Sequence, residues 1–422
     1  MRTQQTVIIG GGLIGLATGF ALVERGIPVR VIESLAAVGH GTSFANGGLV
    51  TPSMSEPWNE PGVARHFAAA FLDPAAPMKL RASALPGLVR WGVRFLRHST
   101  PQRCRASAEA SFRLAAVSVA ATREWRERCA LAYDGRASGA LSVFRRGTSI
   151  DAQLTLSRHL QSLGLRFTQL DAAGAVALEP ALGESAAGIV AALHVPDDEV
   201  GDGRALCAAL AAAIIARGGS VELARCARRL VVQGGRIAGV DVGDDHLPAR
   251  HVVVAAGVAS VPLLRAAGVR IAVAPAKGYS LTVDLAGRAE PPRLPVSDAA
   301  RHVVLTPLGQ RLRIAGTAEF AGSDLRLRPE RIAPLAAAMR ELYPALARAA
   351  DPAQGVPWTG LRPVSADGLP YIGATAIDGL YVNAGHGALG LTLAAGSGIL
   401  LAQLLRGDPA AVDPAPYSPQ RD

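Results

Sequence analysis

The chain has 422 residues, half of them hydrophobic, enough for two domains around a sizeable core and too apolar for a disordered chain. Lys and Arg outnumber Asp and Glu by 43 to 34, yet no run of like charge forms a nucleic-acid arm; the excess reads as a preference for anionic surfaces or substrates, or as plain arginine richness. Cys104, Cys129, Cys207 and Cys226 lie far apart, without CxxC pairs or histidines at metal spacing, which argues against a disulfide framework or a metal centre and for a reducing compartment.

Val7-Ile8-Ile9 reads as a strand running into Gly10-Gly11-Gly12-Leu13-Ile14-Gly15. Gly10 permits a tight turn, Gly12 lets the backbone approach a pyrophosphate, and Gly15 lets the following helix pack on its sheet with the N-terminus facing the anion. Val29-Arg30-Val31-Ile32 is the second strand, and Glu33 closes it where a carboxylate can bind ribose hydroxyls. Residues 6–23 are uncharged and could in principle be a signal core or a short membrane span, but five glycines interrupt them. The reading that fits all these features is a dinucleotide site, followed by Thr42-Ser43-Phe44-Ala45-Asn46-Gly47-Gly48.

Residues 56–135 show helical periodicity, including an amphipathic helix at 85–98 that sets Leu88, Trp91, Phe95 and Leu96 against Arg90, Arg94 and Arg97. It is either an ordinary surface helix or a membrane-surface helix with Trp91 and Phe95 at the acyl boundary. Strands are expected at 140–144 and 188–195 and helices at 150–163 and 202–217, the latter capped by Asp202. A short strand at 220–223, a hairpin at 229–242 turning on Gly234-Gly235 and a buried strand at 251–257 follow. A second mixed block spans 275–352, with strands at 279–283, 302–306 and 312–316 and a helix at 329–349. The chain then reaches Trp358-Thr359-Gly360-Leu361-Arg362-Pro363, the turn Gly385-His386-Gly387 and a final helix. The fold class expected is α/β, a Rossmann-like dinucleotide domain from 1–55, 200–262 and 355–422 with an inserted mixed α+β substrate domain from 56–199 and 263–354.

The N-terminal glycine motif, 42–48, Ser55-Glu56-Pro57-Trp58, Lys277-Gly278-Tyr279-Ser280-Leu281-Thr282, Gly316-Thr317-Ala318-Glu319-Phe320, Thr359-Gly360-Leu361-Arg362-Pro363 and Gly385-His386-Gly387 together resemble the FAD-dependent D-amino-acid dehydrogenases, relatives of glycine oxidase and D-amino-acid oxidase. The resemblance runs over essentially the whole chain. It implies FAD with its pyrophosphate at Gly10, Gly12, Leu13, Ile14 and Gly15, and its adenosine ribose at Glu33 and Ser34. The flavin end would lie near Thr42, Ser43, Asn46, Gly47 and Gly48 and near Gly385, His386, Gly387, Leu389 and Gly390, with Gly257 beside the cofactor and Thr42 and Ser43 as hydroxyl donors. Arg362 would hold the substrate α-carboxylate, Tyr279 would add a hydroxyl donor, and His302 and His386 would line the pocket.

The chemistry implied is hydride transfer from Cα of a neutral D-amino acid, or of a cyclic imino acid such as D-proline or hydroxy-D-proline, to flavin N5, with electrons passed to a quinone-type acceptor. The alternatives are an oxygen-dependent glycine, sarcosine or imino-acid oxidase, and a noncatalytic FAD-bearing subunit of an electron-transfer complex; retention of Arg362 argues against the latter. A cytosolic protein is expected, with the inner face of the cytoplasmic membrane as the alternative location.

Overall fold

All four residues of the first strand, Thr6–Ile9, are buried, as both faces of a central parallel strand must be. The computed structural model describes residues 5–63 and 78–421, so the part of the helical reading at 64–77 lies outside the described residues. Thr6–Ile9 sits inside a six-stranded sheet in the order Tyr371–Ala374, Leu380–Ala384, His251–Val254, Thr6–Ile9, Val29–Ile32, Ser220–Glu222. Every pairing is parallel except that of the edge strand Tyr371–Ala374. The hairpin falls where expected, Ala227–Gln233 against Arg236–Val242, with Gly234 and Gly235 both at positive φ.

The helix Leu13–Val23 packs against the last helix, Gly390–Arg406, and against Gly203–Ala216, whose N-terminus Asp202 caps by accepting from the amides of Arg204 and Ala205. With the turn before it, the last helix is apolar and long enough to cross a membrane, but most of it is buried inside the protein as a core helix.

The second sheet has nine strands. Its path runs Val356–Ser365, Val273–Asp284, Arg311–Phe320, Val303–Leu308, Val296–Asp298, Ala140–Arg145, Ile189–Val195, Thr168–Leu170, with Met78–Leu80 added parallel to Arg311–Phe320. One face is covered by Pro329–Leu342, through Leu335, Met339 and Leu342. The helix expected over 329–349 breaks at Tyr343, because Pro344 disfavours helical backbone in the residue before it.

Two elements cross the expected domain boundaries. Val356–Ser365, assigned from sequence to the dinucleotide unit, is the edge of the nine-stranded sheet, pairing over its whole length with Val273–Asp284. Pro101–Cys129, assigned to the substrate unit, buries Leu114, Ala115 and Val119 in one core with the first and last helices. Both carry local patterns that state a period without stating a partner.

Candidate functional site

The turn after the first strand is built as its glycines dictate. Gly10 has φ +117°, and a β-carbon there would stand 2.5 Å from the Ala255 carbonyl oxygen; a β-carbon on Gly15 would overlap the Gly10 carbonyl. Gly12 is the N-cap of Leu13–Val23 and carries no capping side chain, and a β-carbon there would meet only Ser43 Oγ, at 3.5 Å, so the helix N-terminus is left approachable. Ile14 lies in that first turn, and the Leu13 amide donates to Ser43 Oγ at 3.2 Å. Glu33 is buried, accepting from the Gly11 amide at 2.6 Å, the Leu35 amide at 2.8 Å and the Ser34 hydroxyl at 3.0 Å. A carboxylate offers about four lone-pair directions, so one stays available for a ribose hydroxyl.

The loop 42–48 is fixed by its carbonyls. Ala45 O accepts from Ser280, Asn46 O from Arg313, Gly47 O from Thr306 and Gly48 O from the Gly201 amide. Three of these four donors are side chains of the nine-stranded sheet. Thr42 and Asn46 are also committed internally: the Thr42 hydroxyl donates to Leu361 O at 2.7 Å, and Asn46 Oδ1 accepts from the Gly48 amide. The Thr42 hydroxyl expected to reach the flavin therefore serves to join this loop to the strand Val356–Ser365.

Arg362 lies on that strand between two such attachments. Leu361 is held by Thr42, and Val364 makes a single bridge to His386 in the second glycine-rich turn. Gly385 and Gly387 take positive φ there, Leu389 is the N-cap of the last helix and Gly390 its first residue; Gly257, φ +57°, opens the turn after His251–Val254. The Arg362 guanidinium donates to Thr317 O at 3.1 Å and sits 5.9 Å from the centre of the Trp58 ring. Burial lowers its pKa to about 10, so it stays charged at neutral pH, and no acidic side chain among the described residues acts on it. His386 is buried with both ring nitrogens unpaired, and burial lowers its pKa to about 3. A half-buried arginine without a counter-charge and a buried histidine with both ring nitrogens unpaired fit a carboxylate and a polar ring system.

Tyr279 and His302 do not join this group. Strand alternation puts Ser280 and Gly278 on the face of Arg362 and the 42–48 loop, and puts Lys277 and Tyr279 on the other. The Tyr279 hydroxyl donates to Glu319 Oε2 at 2.6 Å inside a buried ionic cluster with Lys277, Asp324, Arg81 and Arg328; burial and that hydrogen bond raise its pKa. His302 is exposed, at φ +51°, in the turn before Val303–Leu308, two strands across from Val273–Asp284. The site instead includes residues that no single-residue argument singled out: Gly278, Trp58 and Thr317. The motifs containing all three were visible, but a strand partner opposite Arg362 has no local signature.

Residues 5–404 match the profile of the FAD-dependent oxidoreductase (DAO) family. The chain belongs to that family. Among curated relatives, a D-amino acid dehydrogenase of Methylobacterium nodulans is 38% identical over 405 residues, 96% of each chain. One of Paramagnetospirillum magneticum is 36% identical over 410 residues, 97% of this chain and 96% of the relative. Among solved structures, glycine oxidase from Geobacillus kaustophilus superposes with a TM-score of 0.76 at 24% identity over the whole of both chains. L-proline dehydrogenase from P. horikoshii gives 0.78 at 18%, over 100% of this chain and 98% of that one. At those identities the structures establish the shared fold. Family membership makes FAD the cofactor, and the uncapped helix, the free lone pair of Glu33 and the orphaned His386 fit it.

Proposed function

We propose that this chain oxidises D-amino acids at the α-carbon with FAD, cyclic imino acids such as D-proline or hydroxy-D-proline included, and hands the electrons to a quinone. The observation that carries the reading is Arg362: a recessed guanidinium with no counter-charge, on a strand tied on one side to the 42–48 loop and on the other to His386. The names of the curated relatives support the D-amino-acid substrate.

When bound, FAD supplies the two-electron acceptor for the hydrogen on Cα. The chain supplies position. Arg362 takes the α-carboxylate through two parallel hydrogen bonds, which fixes the face of Cα presented to the cofactor. Thr317 O holds the guanidinium from behind, and the Trp58 ring beside it keeps water from the ion pair. His386, neutral at working pH, offers one donor and one acceptor nitrogen to a polar ring edge. The residues expected at the flavin, Gly47, Gly48, Gly385, Gly387, Leu389 and Gly390, are assigned that place on the same reading.

Anaerobic mixing of the yellow holoenzyme with matched D- and L-amino acids, glycine, sarcosine and hydroxyproline stereoisomers tests it. Bleaching by D-isomers with rapid reoxidation by a quinone but not by oxygen is the expected result. Fast reoxidation by oxygen would make the protein an oxidase, and bleaching by no amine would leave a noncatalytic flavoprotein.

A further inference from the structure

Among the described residues Thr317 is the one β-branched side chain at positive φ, +55°, and it stands inside the strand Arg311–Phe320. Left-handed backbone is costly for a branched residue and persists where its surroundings impose it. Here a bulge imposes it. Ala318 pairs with Gly278 and Gly316 with Tyr279, so Thr317 is an inserted residue with no opposite number on Val273–Asp284. On its other side, the pairing with Val303–Leu308 ends at Gly316. The insertion frees the Thr317 carbonyl from the ladder, and Arg362 Nη1 donates to it at 3.1 Å.

The hydroxyl of Thr317 has no such use. The residue is 9% exposed, and Oγ1 is buried with no hydrogen-bond partner among the described residues. Neighbouring threonines differ: Thr306 donates to Gly47 O at 2.7 Å, Thr359 donates to Gly278 O at 2.9 Å, and Thr282 accepts from Arg313 Nε at 2.7 Å. A buried hydroxyl left unpaired forfeits the hydrogen bonds it had in water. The guanidinium beside Thr317 carries donors only, so Arg362 offers nothing that could accept the hydroxyl proton. An anion resting on Arg362 would.

We propose that Thr317 is a substrate-binding residue whose hydroxyl donates to the α-carboxylate held by Arg362. A carboxylate has about four lone-pair directions, of which the arginine fork fills two. The hydroxyl takes a third, on the side where the Thr317 carbonyl already fixes Nη1. One inserted residue thereby does two things: its carbonyl aims the cation and its side chain meets the anion. The assignment rests on Arg362 as the carboxylate anchor and adds an uncharged donor to it.

The test uses α-aminoisobutyrate, which keeps the amine and carboxylate but has no hydrogen on Cα and so binds without being oxidised. Its Kd is read by titrating the flavin absorbance of the FAD-loaded protein. Thr317→Ala should raise that Kd about tenfold or more, the loss expected for one hydrogen bond to a charged group. Thr317→Ser, which differs from the alanine variant by the hydroxyl alone, should stay close to the parent. Isobutyrate, which lacks the amine, should show the same ratio, with FAD content and the unliganded spectrum equal in all three proteins. Equal Kd values in parent and alanine variant would overturn the proposal. So would equal weakening by serine and alanine, which would make the backbone the cause, or a ratio lost with isobutyrate, which would move the contact to the amine. A change in FAD content that follows the hydroxyl would assign it to the cofactor instead. Arg362→Ala tests the underlying anchor separately: an unchanged Kd there removes the anchor, whereas a large rise beside parent-like binding by Thr317→Ala keeps the anchor and leaves the hydroxyl without a role.

Discussion

The guanidinium of Arg362 lies across Gly278 on the neighbouring strand, its Cζ 2.5 Å from the place a β-carbon would take. Gly278 pairs in register with Gly360, over which the Trp358 ring lies, so Gly278 alone leaves the space into which the arginine folds down. Gly278→Ala should therefore push the guanidinium aside while keeping charge and fold. The expected outcome is a fall in kcat/KM on the order of 100-fold, carried by a misplaced carboxylate anchor, with the flavin spectrum unchanged. Parent-like kinetics in that variant would show that the glycine floor is not needed.

Arg362→Ala removes the anchor itself. It should leave the yellow complex intact and lower kcat/KM for amino acids by about 100-fold or more, from the loss of two charge-assisted hydrogen bonds. Arg362→Lys should fall between, since an ammonium keeps the charge but loses the planar fork. The measurement is steady-state turnover beside flavin absorbance, and a variant that loses both together would point to a structural role instead.

Tyr279→Phe separates the two faces of the sheet. The hydroxyl is committed to Glu319 in the buried ionic cluster, so its removal should lower Tm by leaving Glu319 one donor short, without a selective rise in KM. A large increase in KM at unchanged Tm would return Tyr279 to the substrate side.

Gly12→Val should prevent FAD loading, because the space beside the uncapped helix is where the backbone must approach the pyrophosphate. Refolding in excess FAD, followed by gel filtration and absorbance at the flavin band, reads this directly. Normal loading would move the cofactor elsewhere.

Asp198 gives a pH dependence with a definite sign. It is fully buried, and burial raises its pKa to about 7 against the opposing hydrogen bond from Ser53; burial and the neighbouring Glu60 raise Glu56 to about 7 as well. A carboxyl whose folded pKa exceeds its unfolded one binds its proton more tightly when folded, so stability falls as pH rises from about 4 to about 7 and levels off above. Asp198→Asn keeps an acceptor for the Ser53 hydroxyl. It should raise Tm at pH 8 and leave it nearly unchanged at pH 4; an equal shift at both would remove ionisation as the cause.

The glycine turn, Glu33 and Arg362 were legible in the sequence because each states its chemistry through local spacing. Tyr279 was not: its motif placed it beside Gly278 and Ser280, and only the pleat, with the register shift between Gly278 and Tyr279, decides which face it takes. The helix at 85–98 was legible as amphipathic, but one period cannot say which of two apolar stripes turns inward. Trp91 and Phe95 won because they meet Phe320 and Val364, contacts separated from them by more than two hundred residues.

The loop at 42–48 owes its shape to donors that lie far downstream. Ser280, Thr306 and Arg313 seize three of its carbonyls, and Gly201 takes a fourth. A ribosome delivers the glycine turn first and these supports last. The emerging N-terminal strand and helix therefore wait, shaped for an anion but lacking the wall that fits the rest of the ligand, until most of the polypeptide has left the exit tunnel. Cofactor capture becomes a late event of assembly, waiting on supports that reach as far along the chain as Arg313.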